Sequence, residues 1–293
     1  MPYYRIRHRT TYHYTQPVRL GPHRLLLRPR DSHDLRLLET ALTITPTPQS
    51  TRWLHDVFGN SIAVVSFDGE AETLDIDSQL LIEHMGWSKP ELVLEDYART
   101  WPFNYEQSEA ADLAPLVARH DEDRDGRIDA WAMEMVEGRG SMGTQRLLVR
   151  MMQRIHEELP YRSRPEMGTQ TSLETLADGG SCRDLAMFMM EAARSLGFAA
   201  RFVSGYLYDP ALDDGPDQGL LGAGATHAWP SIYLPGAGWV EFDPTNRLYG
   251  GAYLIRVATA RAPSQAIPVS GSYWGPSEVA MPLEVEVSVT REG

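Results

Sequence analysis

The chain has 293 residues, of which 42% are hydrophobic and 23% charged, enough for two medium domains or one large one and unlike any disordered, collagen-like or fibrous chain. Its 27 Lys and Arg stand against 40 Asp and Glu, a formal net charge of -13, so the surface repels phosphate backbones and argues against nucleic acid as a partner. A single cysteine excludes an intrachain disulfide and favours a reducing compartment. No stretch reaches the roughly 18 apolar residues of a membrane span, and the first fourteen residues hold no apolar signal segment. The expectation is a soluble cytoplasmic protein without membrane partners.

The first ninety residues read as strands. Tyr4, Ile6, His8, Thr10, Tyr12 and Tyr14 alternate with mostly polar neighbours, the period-2 pattern of a half-buried strand. Leu35 to Thr45, Ser61 to Phe67 and Leu74 to His84 are further β-like runs, separated by turn residues at Pro46, Pro48, Gly59-Asn60 and Asp68-Gly69. Short strands without helical period between them predict an all-β, sandwich-like domain over residues 1–90. Residues 91–143 carry weak periodicity and are expected as a helical connector, with short helices near Leu113 to Val117 and Asp129 to Glu137 and a loop at Gly138, Gly140 and Gly143.

From residue 144 the helical period is stronger. Leu147, Leu148, Met151, Met152, Ile155 and Leu159 share a face, and Pro160 ends it. Thr171 and Glu174 have capping-box spacing, and a third helix runs from Cys182 to Leu196, stopped by Gly197. Strand-like runs follow at Ala200 to Tyr208, His227 to Leu234, Trp239 to Asp243 and Leu283 to Thr290. Helices followed by strands predict an α+β domain over 144–293.

Ser181 fits an N-cap with Asp184 in the capping-box position, which puts Cys182 in the first helical turn, where unpaired N–H groups and the helix dipole favour a thiolate. Gly179-Gly180 before it permits close backbone approach. A free cysteine on its own is more often a small buried hydrophobe. His227 shares a strand face with Trp229, Ser231 and Tyr233, and Pro235 to Gly238 signals a hairpin. A loop centred on Pro235 sets His227 opposite Asp243, and one centred two residues later offsets them. Cys182, His227 and Asp243 together form a chemically complete set: a thiolate attacks a carbonyl, an imidazole moves the proton, and a carboxylate fixes the tautomer.

The blocks Gly179-Gly-Ser-Cys-Arg-Asp184, Gly197 to Tyr206, Thr226-His-Ala-Trp229 and Trp239 to Asn246 resemble the bacterial transglutaminase-like superfamily, and Tyr4 to Arg30 resembles the β-rich domain that often precedes its core. The resemblance implies a papain-like core with Cys182 as nucleophile, His227 as base and acid and Asp243 as orienter, acting on amide bonds without a cofactor. The substrate it implies is a peptide or protein, cut at peptide or isopeptide bonds through a thioester by a peptidase or amidase. A cross-linking transglutaminase and a non-catalytic interaction module that keeps the fold stand as alternatives.

Other features carry two readings each. The Cys182 N–H suits an oxyanion, with Gln170 as a second donor or an ordinary loop residue. Trp229 and Trp239 either wall a cleft or fill a core. Asp209, Asp213, Asp214 and Asp217 either draw basic peptides or form a solvated loop. Asp121 to Asp129 copies the start of an EF-hand calcium loop, but Ala132 stands where the bidentate Glu belongs, so a solvated acidic turn is expected. No His/Cys cluster suits zinc.

Overall fold

The structure is a computed structural model that describes every residue except 1, 88–89, 137–139, 165–167, 213–218, 223 and 293. Its amino-terminal strands are β1 (Tyr3–Leu20), β2 (His23–Arg28), β3 (Leu35–Thr45), β4 (Ser50–His55), β5 (Ser61–Ser66) and β6 (Glu70–His84). A short pair, β7 (Thr100–Trp101) and β8 (Met142–Gly143), brackets helices α1 (Gln107–Val117) and α2 (Arg127–Met133). Then come α3 (Thr144–Glu158), α4 (Ser172–Asp178), α5 (Cys182–Ser195), β9 (Ala200–Leu207), β10 (Thr226–Leu234), β11 (Gly238–Asp243), β12 (Leu248–Tyr249) and β13 (Leu254–Ala260). The chain closes with β14 (Val269–Ser270), β15 (Tyr273–Trp274) and β16 (Glu284–Glu292).

Two antiparallel sheets make the amino-terminal sandwich. One has the order β15-β1-β6-β3 with β16 also on β1, and the other is β14-β2-β5-β4. Between them lie Tyr14, Val18, Leu25, Leu27, Ile44, Val65, Leu74 and Ile76. The alternation read from Tyr4 to Tyr14 holds through Thr10 and then lapses: Thr11 is buried beside it and Tyr12 only half-buried, before Tyr14 is buried again. The outward positions Arg7 and Arg9 pair with Asp77 and Asp75 on β6 at 2.8 Å each. β2 offers no alternation to read: Leu25, Leu26 and Leu27 are all buried, because this strand is covered on both faces.

The tail is the main departure from expectation. The sequence places the run from Leu283 to Thr290 in the 144–293 core, but β16 pairs with β1 over Tyr3↔Glu292 to Thr11↔Glu284. β14 pairs with β2 and β15 with β1. Strand pairing therefore crosses the boundaries drawn at 90 and 143. The connector is not separate either: Leu94, Ile128, Trp131 and Ala132 pack in one core cluster with α3 and α5. Of its two expected helices, the second begins at Arg127 and ends at Met133; Glu137 and Gly138 lie outside the described residues.

The second unit is a sheet of order β12-β11-β10-β9-β13 with α5 packed against β9 and β10. α5 is buried on every side from Asp184 to Arg194, so it is a core helix rather than an amphipathic surface one. α3 keeps its predicted stripe, with Leu147, Leu148, Met151, Met152 and Ile155 buried. The capping box at Thr171 and Glu174 starts α4. The two units share a third cluster, in which Tyr4, Ile6, Leu80 and Ile82 meet Tyr206, Ile255 and Val257.

Candidate active site

The start of α5 is built around Asp184. Its Oδ2 accepts from the Ser181 N–H at 2.9 Å and the Ser181 hydroxyl at 2.7 Å. Its Oδ1 accepts from the Gln170 N–H at 2.8 Å, and Arg164 Nη1 reaches both oxygens at 3.0 Å. Burial works against the charge, but the Ser181, Gln170 and Arg164 donors hold this carboxyl below the ordinary range. Its charge is thus spent on the turn before the helix. Gly179 has φ +73°, and a Cβ there would lie 2.1 Å from the Pro160 carbonyl oxygen. The glycine pair serves this close packing against Pro160 and Asp184. Cys182, half-buried, is the first helical residue.

His227 is the second residue of β10 and is 1% exposed. Its Nε2 lies 2.8 Å from Asp243 Oδ2, with both side chains removed from solvent. This bond places a proton on Nε2 and leaves Nδ1 as the nitrogen that takes up or gives a proton. Burial pulls the imidazole down, but the charge and hydrogen bond of Asp243, followed by Cys182, push it up to about 10. The structure thus brings all three expected residues within electrostatic reach. Tyr161 belongs to the same group: burial first, then Cys182, raises its hydroxyl pKa. It stands beside Gly180 in a parallel bridge.

The hairpin register falls between the two that the sequence leaves open. Leu234 pairs with Gly238 and Ser231 with Glu241, so the turn centres on Gly236. Asp243 is therefore offset from His227 rather than directly opposite. The side-chain period of two keeps both on one face, and the diagonal is short enough for a hydrogen bond. Past β11, Asp243 Oδ1 accepts the Thr245 N–H at 2.9 Å and Oδ2 accepts Asn246 Nδ2 at 2.9 Å. His156 of α3 donates from Nδ1 to the Thr245 carbonyl at 2.9 Å, fastening this turn to the helix.

The remaining expectations resolve into structure. Trp229 is fully buried among Val203, Leu207 and Leu254, its ring 5.8 Å from that of His227. Trp239 lies near the hairpin end, under the Arg201 guanidinium at 4.2 Å. Asp209 is buried and accepts backbone N–H groups of Ala211 and Leu220, so it shapes its loop; Asp213, Asp214 and Asp217 lie outside the described residues. Asp121 accepts from the Ser172 N–H at 2.7 Å, and Asp123 from those of Arg127 and Ile128 at 2.9 Å. These carboxylates cap α4 and α2. Ala132, at the twelfth position of the EF-like pattern, is fully buried. A hollow of about 780 Å³ lined by Leu92, Arg99, Gln145, Val149 and Tyr249 contains none of Cys182, His227 and Asp243.

Sequence reading missed Arg164, Tyr161 and the role of Asn246. The first two are brought in by chain segments about twenty residues from α5, for which no spacing rule exists. Asn246 ends the Trp239 to Asn246 block, where nothing in the sequence points to its partners.

Residues 4–83 match the bacterial transglutaminase-like N-terminal region, and residues 129–244 match the transglutaminase-like superfamily. Uncharacterized proteins of Mycobacterium tuberculosis and Mycobacterium bovis are 30% identical over 299 residues, covering 98% of this chain and 92% of theirs. A crystal structure of a proposed cysteine protease from Cytophaga hutchinsonii superimposes with a TM-score of 0.71 at 17% identity, over 98% of this chain and 90% of that one. The chain belongs to the transglutaminase-like superfamily. Among the described residues no helix is long and apolar enough to cross a membrane.

Proposed function

We propose that this protein is a cysteine-dependent hydrolase of peptide or isopeptide amide bonds, with Cys182 as nucleophile, His227 as acid and base, and Asp243 as orienter. One observation carries the reading: a buried imidazole paired with a carboxylate at 2.8 Å through Nε2, with a helix-start thiol acting on the same ring. Nothing in a packed core calls for that arrangement. The Cytophaga hutchinsonii relative in fold, named as a proposed cysteine protease, accords with it.

The chemistry runs in two halves. The Cys182 thiolate adds to the carbonyl carbon, and the developing oxyanion takes the Cys182 N–H at the positive end of α5. The imidazolium gives its Nδ1 proton to the leaving amine as the C–N bond breaks, leaving a thioester. Water then loses a proton to His227 and attacks the thioester carbonyl, the C–S bond breaks, the acid product is released and the Cys182 thiolate is restored. Asp243 holds the ring in one tautomer and offsets its positive charge throughout.

The test is a peptide library, including isopeptide-linked members, incubated with and without a primary amine and read by mass spectrometry. Mass gains of one water at new termini, absent with Cys182→Ala, support a hydrolase. Amine adducts in place of free acids would make it a transferase. A folded wild-type protein that leaves every member intact, with a thiol inert to alkylation near neutral pH, would make it a binding module. The same reading places the activity in the cytoplasm, where a thiol nucleophile stays reduced. Recovery of the native protein in a periplasmic or secreted fraction would remove that part.

A further inference from the structure

We propose that Asn246 is a positioning residue of this site: its side-chain amide holds the Asp243 carboxylate and the strap Leu220 to Gly222 together against His227, and so keeps the imidazole aimed. This rests on the catalytic reading of Cys182, His227 and Asp243. The Asn246 amide is used at both ends. Its Oδ1 accepts from the Leu221 N–H at 2.8 Å, while Nδ2 donates to the Leu221 carbonyl at 3.0 Å and to Asp243 Oδ2 at 2.9 Å. The orientation of the amide is set by these partners, since only oxygen satisfies an N–H and only nitrogen satisfies a carbonyl and a carboxylate.

Asp243 Oδ2 is the oxygen that also receives His227 Nε2. The two donors, with the Thr245 N–H on Oδ1, fix the plane of the carboxylate and hence the direction of the bond to the imidazole. The strap closes the other side of the ring. Gly222 has φ +88°, and a Cβ there would sit 2.8 Å from His227 Nδ1, so bare backbone lies against the edge that serves the thiol. The strap's far end is tied by the Leu220 N–H to Asp209. Asn246 thus links the orienting carboxylate to the cover over the proton-carrying nitrogen. No aliphatic or acidic side chain of its size both donates to a carboxylate and accepts from an N–H.

Alkylation of Cys182 by iodoacetamide tests this without a known substrate, because it is the protein's single cysteine. Labelling rates are measured against pH for wild type, Asn246→Ala and Asn246→Asp, with thermal melts as a check on folding. Asn246→Asp keeps an acceptor for the Leu221 N–H but loses the donor to Asp243 and sets two carboxylates in contact. Wild type should label quickly near neutral pH. Both variants should label roughly tenfold more slowly there, with their profiles displaced toward the free-cysteine value of about 8.5. A merely structural asparagine would lower the melting temperature and leave the pH profile in place. Folded variants with the wild-type profile overturn the proposal. If Asn246→Ala does not fold, Asn246→Leu, which keeps the side-chain volume without a donor or acceptor, takes its place in the comparison. Slow labelling of wild type that rises only above about pH 8 overturns the catalytic reading itself, and this inference with it.

Discussion

His227 and Asp243 share one hydrogen bond with both side chains removed from solvent, and that burial decides how each responds to change. Asp243→Asn keeps a group able to hydrogen-bond the ring but removes the charge that raises the imidazole and permits the wrong tautomer. Turnover should fall by roughly 10³–10⁴-fold while the fold survives, as read by steady-state rates beside circular dichroism. Near-normal turnover would take Asp243 out of the mechanism. The same pair sets a pH window. His227 is raised from 6.5 to about 10, so its stabilising contribution is complete below about 6.5 and is lost as pH rises through about 10. The denaturant midpoint should therefore decline over that alkaline window, and His227→Gln should flatten the decline. An equal slope in the variant would show that other groups are responsible.

At the scale of elements, α5 is held by buried charge at both ends. Asp184 organises its start. Near its end, Glu191 accepts from Arg194 at 2.8 Å, Arg119 at 3.0 Å and the His120 and Asp121 N–H groups, with no exposure to solvent. Glu191→Gln leaves the buried Arg194 guanidinium without its counter-charge, while Arg119 keeps Asp123 and Asp129, and turns amide hydrogens toward existing donors. Removing one partner of such a buried set costs about 3–5 kcal/mol, and chemical denaturation should show a loss of that size. A shift under about 1 kcal/mol would mean that water or relaxation satisfies the cluster. The Asp121 turn reads differently in this light. Its acidic pattern is legible in sequence as a calcium-like loop, yet Asp121 and Asp123 spend their oxygens on the first N–H groups of α4 and α2, and Arg119 ties that turn to α5.

Across the whole molecule the two units hold one another. Asn60 and Thr259 exchange reciprocal bonds at 2.7 and 2.9 Å, Arg256 joins Glu241 at 2.8 Å to Asp34 at 3.1 Å, and His8 meets the Tyr206 hydroxyl at 2.9 Å. A fragment of residues 91–293 would expose Tyr206, Ile255 and Val257 and leave β16 without β1. At about 1.5–3 kcal/mol for each large apolar side chain, that loss is comparable with the whole stability of a domain. The fragment should show no cooperative thermal transition. A sharp one near that of the full chain would establish a free-standing catalytic unit.

Much of this was readable from the sequence. The start of α5 at Cys182, the stripe of α3, the capping box of α4 and the alternation of β1 each depend on residues within about four positions, where side-chain and backbone spacing are set by the helix or strand itself. The order of the motifs and the family they mark were legible for the same reason. Tertiary structure decided the rest. A turn centred on Gly236 offset Asp243 from His227, the returning tail completed the amino-terminal sheet, Arg164 neutralised Asp184, and Asn246 joined carboxylate to strap. These contacts join segments distant in the chain or depend on the register of a turn, and their geometry follows from the packing of the entire fold, which no local spacing encodes.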